Sequence, residues 1–313
     1  FFKTDYIMKQ LWTEKYRPST LDTYVFKNDA QKRQAEGWVA DGIIPHLLFS
    51  GEPGTGKTTL AKILIKSLNV NNFDVLSING SADNGVDILR EKITTFVSTM
   101  PFGEFKIVLF DEADYITHSA QAILRNLMET YASSARFILT CNYPNKIIPA
   151  LHSRCQGFHI ENVDKTEFTA RIAQILIDED VTFDIDTVDS YVKATYPDMR
   201  KCINNCQMNS SNGELVLPTD DTTEITNYKF KAVELFKQGK IKEARVVLCN
   251  VNTQEIGGVY RWMYNNLELF GTTDEQKDKA ILAIRDGLVN HSLVADPEIN
   301  LSATLIDVCT IND

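Results

Sequence analysis

The stretch GEPGTGKTT, Gly51 to Thr59, constrains this chain more than any other. It fits G-x-x-x-x-G-K-T, the spacing of a loop that wraps nucleotide phosphates. Gly51, Gly54 and Gly56 let backbone N–H groups turn inward with no Cβ in the way. Lys57 supplies a fixed positive charge for the β- and γ-phosphates, and Thr58 offers a hydroxyl to Mg²⁺. The flanks agree. His46 to Ser50 is a short apolar strand, and Leu60, Leu64 and Leu68 recur at helical spacing. A helix therefore begins where the loop ends and points its amino end at the phosphates. A chance Gly-rich turn would not come with both flanks.

From His46 onward the chain alternates strand and helix. Asp74 to Ile78, Phe105 to Phe110, Arg136 to Thr140 and Gly157 to Ile160 read as further strands. Val86 to Val97 reads as a helix, with Ile88, Leu89, Ile93, Phe96 and Val97 on its apolar face. Ser119 is positioned to cap another, whose apolar face is Ile123, Leu124, Leu127, Met128 and Tyr131. Strands that are apolar without alternation imply a parallel sheet covered on both faces, an α/β fold. Ahead of it lies a polar arm, Leu11 to Pro18, extended at Arg17 because proline disfavours helix before it. A helical stretch follows Val25-Phe26 as far as about Ala40.

After Glu161 the strands stop. Lys165 to Glu179, Asp186 to Tyr196 and Asp198 to Met208 read as helices. The polar, turn-rich run 209–228 reads as a break, and the chain is helical again from Lys229. Val233, Phe236 and Ile241 mark a helical hairpin; Val259, Trp262, Met263 and Leu267 mark another helix; Ile281 to Val289 marks a third. The expected organisation is a nucleotide-binding domain over 1–160, a small helical domain over 161–212, a linker over 213–228 and an all-helical domain over 229–313.

Composition narrows the function classes. A net charge of −10 argues against a protein that coats DNA by bulk electrostatics, though not against local phosphate contacts. No apolar run is long enough to cross a membrane. No basic, apolar leader opens the chain, so secretion is not expected; the chain opens Phe1-Phe2 without Met, so a start upstream is. The 6 cysteines are scattered; Cys202 and Cys206 lie four apart, but no second pair completes a zinc site, and reduced thiols are expected.

Binding becomes hydrolysis when a carboxylate meets the metal and another group orients water. Ile107-Val108-Leu109-Phe110-Asp111-Glu112 supplies both in the Walker B manner. Asp111 ends its strand where a parallel sheet gathers ligands, and can hold Mg²⁺; Glu112 is placed to polarise the attacking water. Asn142 also ends a strand, where a neutral amide can bond the γ-phosphate or the water. Arg154, in Leu151-His152-Ser153-Arg154-Cys155, has the right group for charge developing on a transferring phosphoryl, and can be supplied in trans. Arg200 reads equally as a group reaching over the phosphates or as a helix-surface ion pair.

Taken in order, these residues resemble the AAA+ ATPases of sliding-clamp loaders. The resemblance is carried by the Glu14-Lys15-Tyr16-Arg17-Pro18 arm, GEPGTGKTT, Leu109-Phe110-Asp111-Glu112-Ala113-Asp114, Gln121 through Glu129, Cys141-Asn142 and Ser153-Arg154-Cys155. It covers residues 11 to about 205. Within the family the chain is most similar to the large ATPase subunits of T4-type bacteriophage loaders, which resemble replication factor C small subunits. The resemblance implies an AAA+ domain with a five-stranded parallel sheet, a helical lid and a C-terminal helical collar. It implies ATP with Mg²⁺, an adenine pocket lined by Thr13, Glu14, Lys15, Tyr16 and Val25, and phosphate contacts from Gly54, Thr55, Gly56, Lys57, Thr58 and Thr59. Thr13 departs from the apolar residue common in cellular relatives. Asn142 matches sensor 1, Arg200 sensor 2 and Arg154 the arginine finger of a neighbouring site. Arg90 matches a DNA-phosphate contact, and Gln121 the position that couples DNA to the catalytic carboxylate. The implied partners are a ring-shaped clamp, further copies of this chain with a non-identical small subunit, primer–template DNA and, indirectly, the replicative polymerase. No membrane is involved. For a phage protein the setting is the cytoplasm of the infected bacterial host. Two other readings stay in play: an AAA+ helicase or branch-migration motor, and a scaffold that binds ATP without cleaving it.

Overall fold

Apolar runs too short for helices become strands, and the computed structural model gathers them in one sheet. It describes residues 10–26, 28–82, 86–210, 213–218, 224–249, 256–291 and 293–310, without the side chains of 87, 88 and 224–227. The chain divides into two compact units, one of residues 13–164 and one of 165–313 together with 1–12.

In the first unit β1 (Leu47–Ser50), β2 (Val75–Asn79), β3 (Lys106–Asp111), β4 (Ala135–Cys141) and β5 (Gln156–His159) pair in the order β2-β3-β4-β1-β5. Every pairing is parallel. Parallel neighbours need crossovers, and helices supply them. Ahead of the sheet come α1 (Trp12–Lys15) and α2 (Asp29–Asp41); the crossovers carry α3 (Lys57–Ser67), α4 (Val86–Ser98), α5 (His118–Thr130) and the short α6 (Pro149–His152). Both faces of the sheet are covered. Leu48, Val108, Phe110, Phe137 and Leu139 pack with Leu89 and Ile93 of α4 and Leu124 and Met128 of α5. Leu47, Phe49, Ile107, Leu109 and Ile138 pack with Ala35 and Trp38 of α2 and Leu60 and Leu64 of α3. Successive strand residues thus go to opposite layers, which is why the strands read as unbroken apolar runs.

One local expectation changes. Within the arm, Trp12–Lys15 form a turn of helix, and Arg17-Pro18 lies beyond it. The cap of α5 is Thr117, not Ser119: Thr117 has extended backbone (φ −64°, ψ 155°) and its hydroxyl accepts the Ala120 N–H at 3.3 Å. A cap must lie outside the helix, and Ser119 is already inside it. Of the apolar face expected for α4, Ile88 lies outside the described side chains.

The second unit is helical: α7 (Lys165–Asp178), α8 (Ile185–Thr195), α9 (Met199–Met208), α10 (Glu224–Lys237), α11 (Ile241–Cys249), α12 (Ile256–Asn265), α13 (Asp274–His291) and α14 (Pro297–Cys309). The Trp12 N–H joins it, donating to Gln207 Oε1 at 3.0 Å. The polar run expected to be a linker is partly packed. Thr182 and Glu214 form a parallel bridge, Leu215 is buried and α10 begins at Glu224; residues 219–223 lie outside the described ones. Tyr191 of α8 meets Phe230 of α10 edge-on at 4.8 Å, and Trp262 Nε1 donates to Lys193 O at 2.8 Å. Helices on either side of that run therefore share contacts. The core of α10 to α14 holds Val233, Leu248, Val259, Met263, Ile284, Leu301 and Leu305. Periodicity alone missed α14, which Asp296 caps by accepting the Glu298 N–H at 3.0 Å, with Pro297 in the first turn.

Candidate nucleotide site

The loop after β1 is shaped by contacts that only glycine allows. A Cβ on Gly51 would stand 2.4 Å from the Ile160 carbonyl oxygen. Gly56, at φ +93°, lies under the Tyr24 ring, where a Cβ would come within 3.1 Å. Tyr24 is buried, and its hydroxyl donates to Thr55 O at 3.4 Å. Inside the loop Thr55 Oγ1 donates to Glu52 O at 2.9 Å. Lys57 opens α3 and is only 8% exposed; its Nζ donates to Gly51 O at 3.0 Å and Glu52 O at 2.7 Å. Burying an ammonium is unfavourable unless it is bonded, and here the loop's own carbonyls hold it at the loop. Gly54, Thr55 and Gly56 line the turn, and Thr59 follows in the first turn of α3, half-buried.

The carboxyl ends of β3 and β4 face this loop. Thr58 Oγ1 donates to Asp111 Oδ1 at 2.7 Å, and Thr140 Oγ1 donates to the same oxygen. Glu112 adopts left-handed backbone (φ +57°), and its N–H donates to Thr140 Oγ1 at 3.1 Å. A left-handed glutamate is strained, and the tie to Thr140 helps hold it there. Asn142, half-buried, leaves the end of β4; its N–H donates to Asp114 Oδ2 at 3.2 Å. Between them Cys141 is buried, its thiol pushed up to about 12 by burial first and by the nearby Asp114, against the pull of Lys57. Lys57, Thr58, Asp111, Glu112 and Asn142 are thus brought to one end of the sheet.

These groups suit a nucleotide with a magnesium ion. The Thr58 hydroxyl and the Asp111 carboxylate converge on one point as hard oxygen donors. Among the described residues no group of three or more His, Cys, Asp or Glu could hold a metal ion alone. The donor set is one that needs phosphate oxygens to complete it, which is how magnesium binds in nucleotide sites.

Arg154 lies elsewhere. It precedes β5, whose first residue, Gln156, donates from its N–H to His46 O at 2.7 Å, so it sits at the amino ends of the strands. The phosphate loop leaves the opposite end of β1, some five residues on, or roughly 16 Å at strand rise. Arg154 pairs with Glu129 of α5 and donates to Ala150 O at 2.9 Å. Of the other expected residues, Thr13, Glu14 and Lys15 lie on α1, where Glu14 pairs with Arg17 at 2.5 Å; Lys15 stands 5.2 Å from the Tyr16 ring centre. Val25 is half-buried, next to Tyr24. Arg90 is exposed on α4. Arg200 is exposed near the start of α9, in the helical unit. Gln121 is fully buried: its amide donates to Ile116 O at 3.3 Å and Lys146 O at 3.0 Å and accepts from the Ile148 N–H at 2.8 Å. Its bonds thus pin the loops on either side of α5's start.

The sheet unit matches the family model for the ATPase family associated with various cellular activities (AAA) over residues 47–162. The chain is 39% identical to the replication factor C small subunit of Archaeoglobus fulgidus, over 76% of this chain and 77% of that protein. It is 36% identical to the replication factor C small subunit of Methanococcus maripaludis, over 78% and 80%. The chain belongs to the replication factor C small-subunit family. It is accordingly an AAA ATPase. Solved structures of RuvB from Thermotoga maritima share the fold: one, a point variant, has 16% identity and a TM-score of 0.51 over 96% of this chain and 90% of that one.

Seen as a replication factor C small-subunit relative, the chain carries three site residues that its motifs did not announce. Tyr24 roofs the phosphate loop, Thr140 joins Asp111 to Glu112, and Glu129 holds Arg154. Tyr24 and Glu129 belong to no phosphate motif, and a strand threonine reads as a strand threonine. Their roles arise from pairings between residues far apart in sequence.

Proposed function

We propose that this chain couples ATP turnover to placing a ring-shaped sliding clamp on primer–template DNA. It is an ATPase subunit of a clamp loader. ATP binding assembles copies of the chain, with a non-identical small subunit, into a spiral that opens the clamp. Primed DNA then triggers hydrolysis, and the closed clamp is left for the replicative polymerase. One observation carries the reading: the protomer gathers a complete phosphate-side set at one end of its sheet and holds Arg154 at the other. A guanidinium so placed serves a neighbour's nucleotide, which makes assembly a condition of turnover.

Within that reading Thr13, Glu14, Lys15, Tyr16 and Val25 hold the adenine, and Gly54, Thr55, Gly56, Lys57, Thr58 and Thr59 hold the phosphates. Thr58 and Asp111 hold Mg²⁺, which when bound screens the phosphate charge. Glu112 orients and deprotonates the attacking water, Asn142 and Arg200 sense the γ-phosphate, and Arg90 meets the DNA backbone. Gln121 carries the DNA signal to Glu112 through the loops it pins. Helices α7 to α9 act as the lid and α10 to α14 as the collar. For the finer placement we read a T4-type phage large subunit acting in the host cytoplasm, and what supports it is the C-terminal helical region.

The test is steady-state ATPase of the assembled loader. A sharp rise only when clamp and primed DNA are both present supports loading. Strand separation or junction migration would indicate a motor instead, and no turnover a scaffold. Glu112→Gln should lower the stimulated rate by about a hundredfold or more while ATP still binds; a wild-type rate would remove Glu112 from the chemistry.

A further inference from the structure

The turn between β3 and α5 contains a buried acid that the reading above leaves without a task. Asp114 is 6% exposed. Its Oδ2 accepts two consecutive backbone N–H groups, those of Asn142 at 3.2 Å and Tyr143 at 3.1 Å. Its Oδ1 has no hydrogen-bond partner among the described residues. One oxygen therefore takes both donors while the other is buried without one.

The reason lies in where β4 ends. The ladder with β3 stops at Leu139 and that with β1 at Cys141. Asn142 and Tyr143 leave the sheet with N–H groups that no strand accepts, and buried or half-buried donors need acceptors. Two successive N–H groups converging on one oxygen also fix the peptide plane between the two residues, and with it the direction in which Asn142 projects its side chain. Asp114 is itself held. It sits in a 3₁₀ turn, Ala113–Tyr115, that follows directly on Glu112, and the Tyr115 N–H closes the turn on Glu112 O at 3.1 Å. The same turn thus carries Glu112 and the group that orients Asn142. Further along, Gln121 fixes the far side of that loop through Lys146 and Ile148.

We propose that Asp114 is a positioning residue for hydrolysis: it ties the backbone of Asn142 and Tyr143 to the turn bearing Glu112, so that water-orienting and phosphate-sensing groups keep one geometry. The proposal rests on the reading of Asn142 as the phosphate sensor. It predicts that Asp114 acts on the chemical step and not on ATP binding.

The experiment is a double-mutant cycle in the assembled loader with clamp and primed DNA. Asp114→Ala should lower kcat about tenfold, as a displaced catalytic group does, with KM for ATP within about twofold of wild type. Asp114→Asn keeps an acceptor oxygen and should retain most of kcat. Asp114→Ala added to Asn142→Ala should lower kcat no further than Asn142→Ala alone, because both remove the same function. Should the alanine variant fail to fold, Asp114→Leu, which fills the space without an acceptor, replaces it in the cycle. A wild-type kcat for the variant without an acceptor, a raised KM with unchanged kcat, or multiplicative losses in the double variant would each overturn the proposal while leaving Asn142 as the sensor. A wild-type kcat for Asn142→Ala would remove the sensor reading and this proposal together.

Discussion

The two ends of the sheet handle charge in different ways. At the carboxyl ends, the polar groups bond to one another: Thr58 and Thr140 both donate to Asp111, Glu112 donates to Thr140, and Asn142 donates to Asp114. At the amino ends a cationic group stands on the rim: Arg154, one third exposed, pairs with Glu129. The first arrangement resists change, because each bond that is lost leaves a buried or half-buried group unmatched. The second is easily exchanged, since a partly exposed ion pair contributes little to stability. On the proposed function, the protomer is thus rigid on the side assigned to its own nucleotide and adaptable on the side assigned to a neighbour's.

The largest effect should come from separating these two ends in different copies. Lys57→Ala removes the phosphate charge and leaves Arg154 intact; Arg154→Ala does the reverse. Each variant alone should lose about a thousandfold in ATPase, the scale set by a missing arginine finger. Arg154→Ala should still bind ATP within a few-fold of wild type. Mixing the two should recover part of the activity, since a Lys57→Ala copy can present Arg154 to an intact site. Absence of any recovery, with assembly confirmed by sedimentation, would break the contrast between the ends.

Legibility followed the same divide. GEPGTGKTT and Asp111-Glu112 announce their chemistry because phosphate binding demands fixed residue types at fixed spacing, and the central strands β1, β3 and β4 are readable because burial on both faces leaves no polar alternation. What could not be read were pairings across the sheet. Nothing in the sequence says that Asp114 accepts from Asn142, or that Glu129 meets Arg154. In the helical unit, periodicity found helices but not their company. Polarity marks 213–228 as a linker, yet within it Leu215 is buried and Glu214 bridges Thr182. Composition reports the average of a segment, while packing turns on one residue.

A smaller effect sharpens the amino end. If Glu129 orients Arg154 for its neighbour, Glu129→Ala should lower the stimulated kcat by about threefold to tenfold, with ATP affinity unchanged. An increase in kcat would mean that the pair restrains the finger instead of aiming it. Glu129→Gln, which keeps an acceptor for the guanidinium, should fall between wild type and Glu129→Ala.

The smallest effect belongs to His46, which precedes β1 at that same amino end. Its Nδ1 accepts the Phe137 N–H at 3.1 Å, so the ring must stay neutral at that nitrogen. Burial, and then the neighbouring Arg136, hold its pKa down at about 4, with a hydrogen bond to the Met128 backbone acting in the opposite sense. In the unfolded chain the ring titrates near 6.5. Between about pH 6.5 and 4 the unfolded state therefore binds the proton and the folded state does not, so stability is full above that window and is lost as pH falls through it. The ring is partly open to solvent, which reduces the effect to on the order of 1 kcal/mol. His46→Asn, which keeps an acceptor but does not titrate, should unfold with a flatter pH dependence across that range in urea titrations. An unchanged slope would mean that His46 exchanges its proton freely in the folded state, and that the amino end is looser than its hydrogen bond to β4 implies.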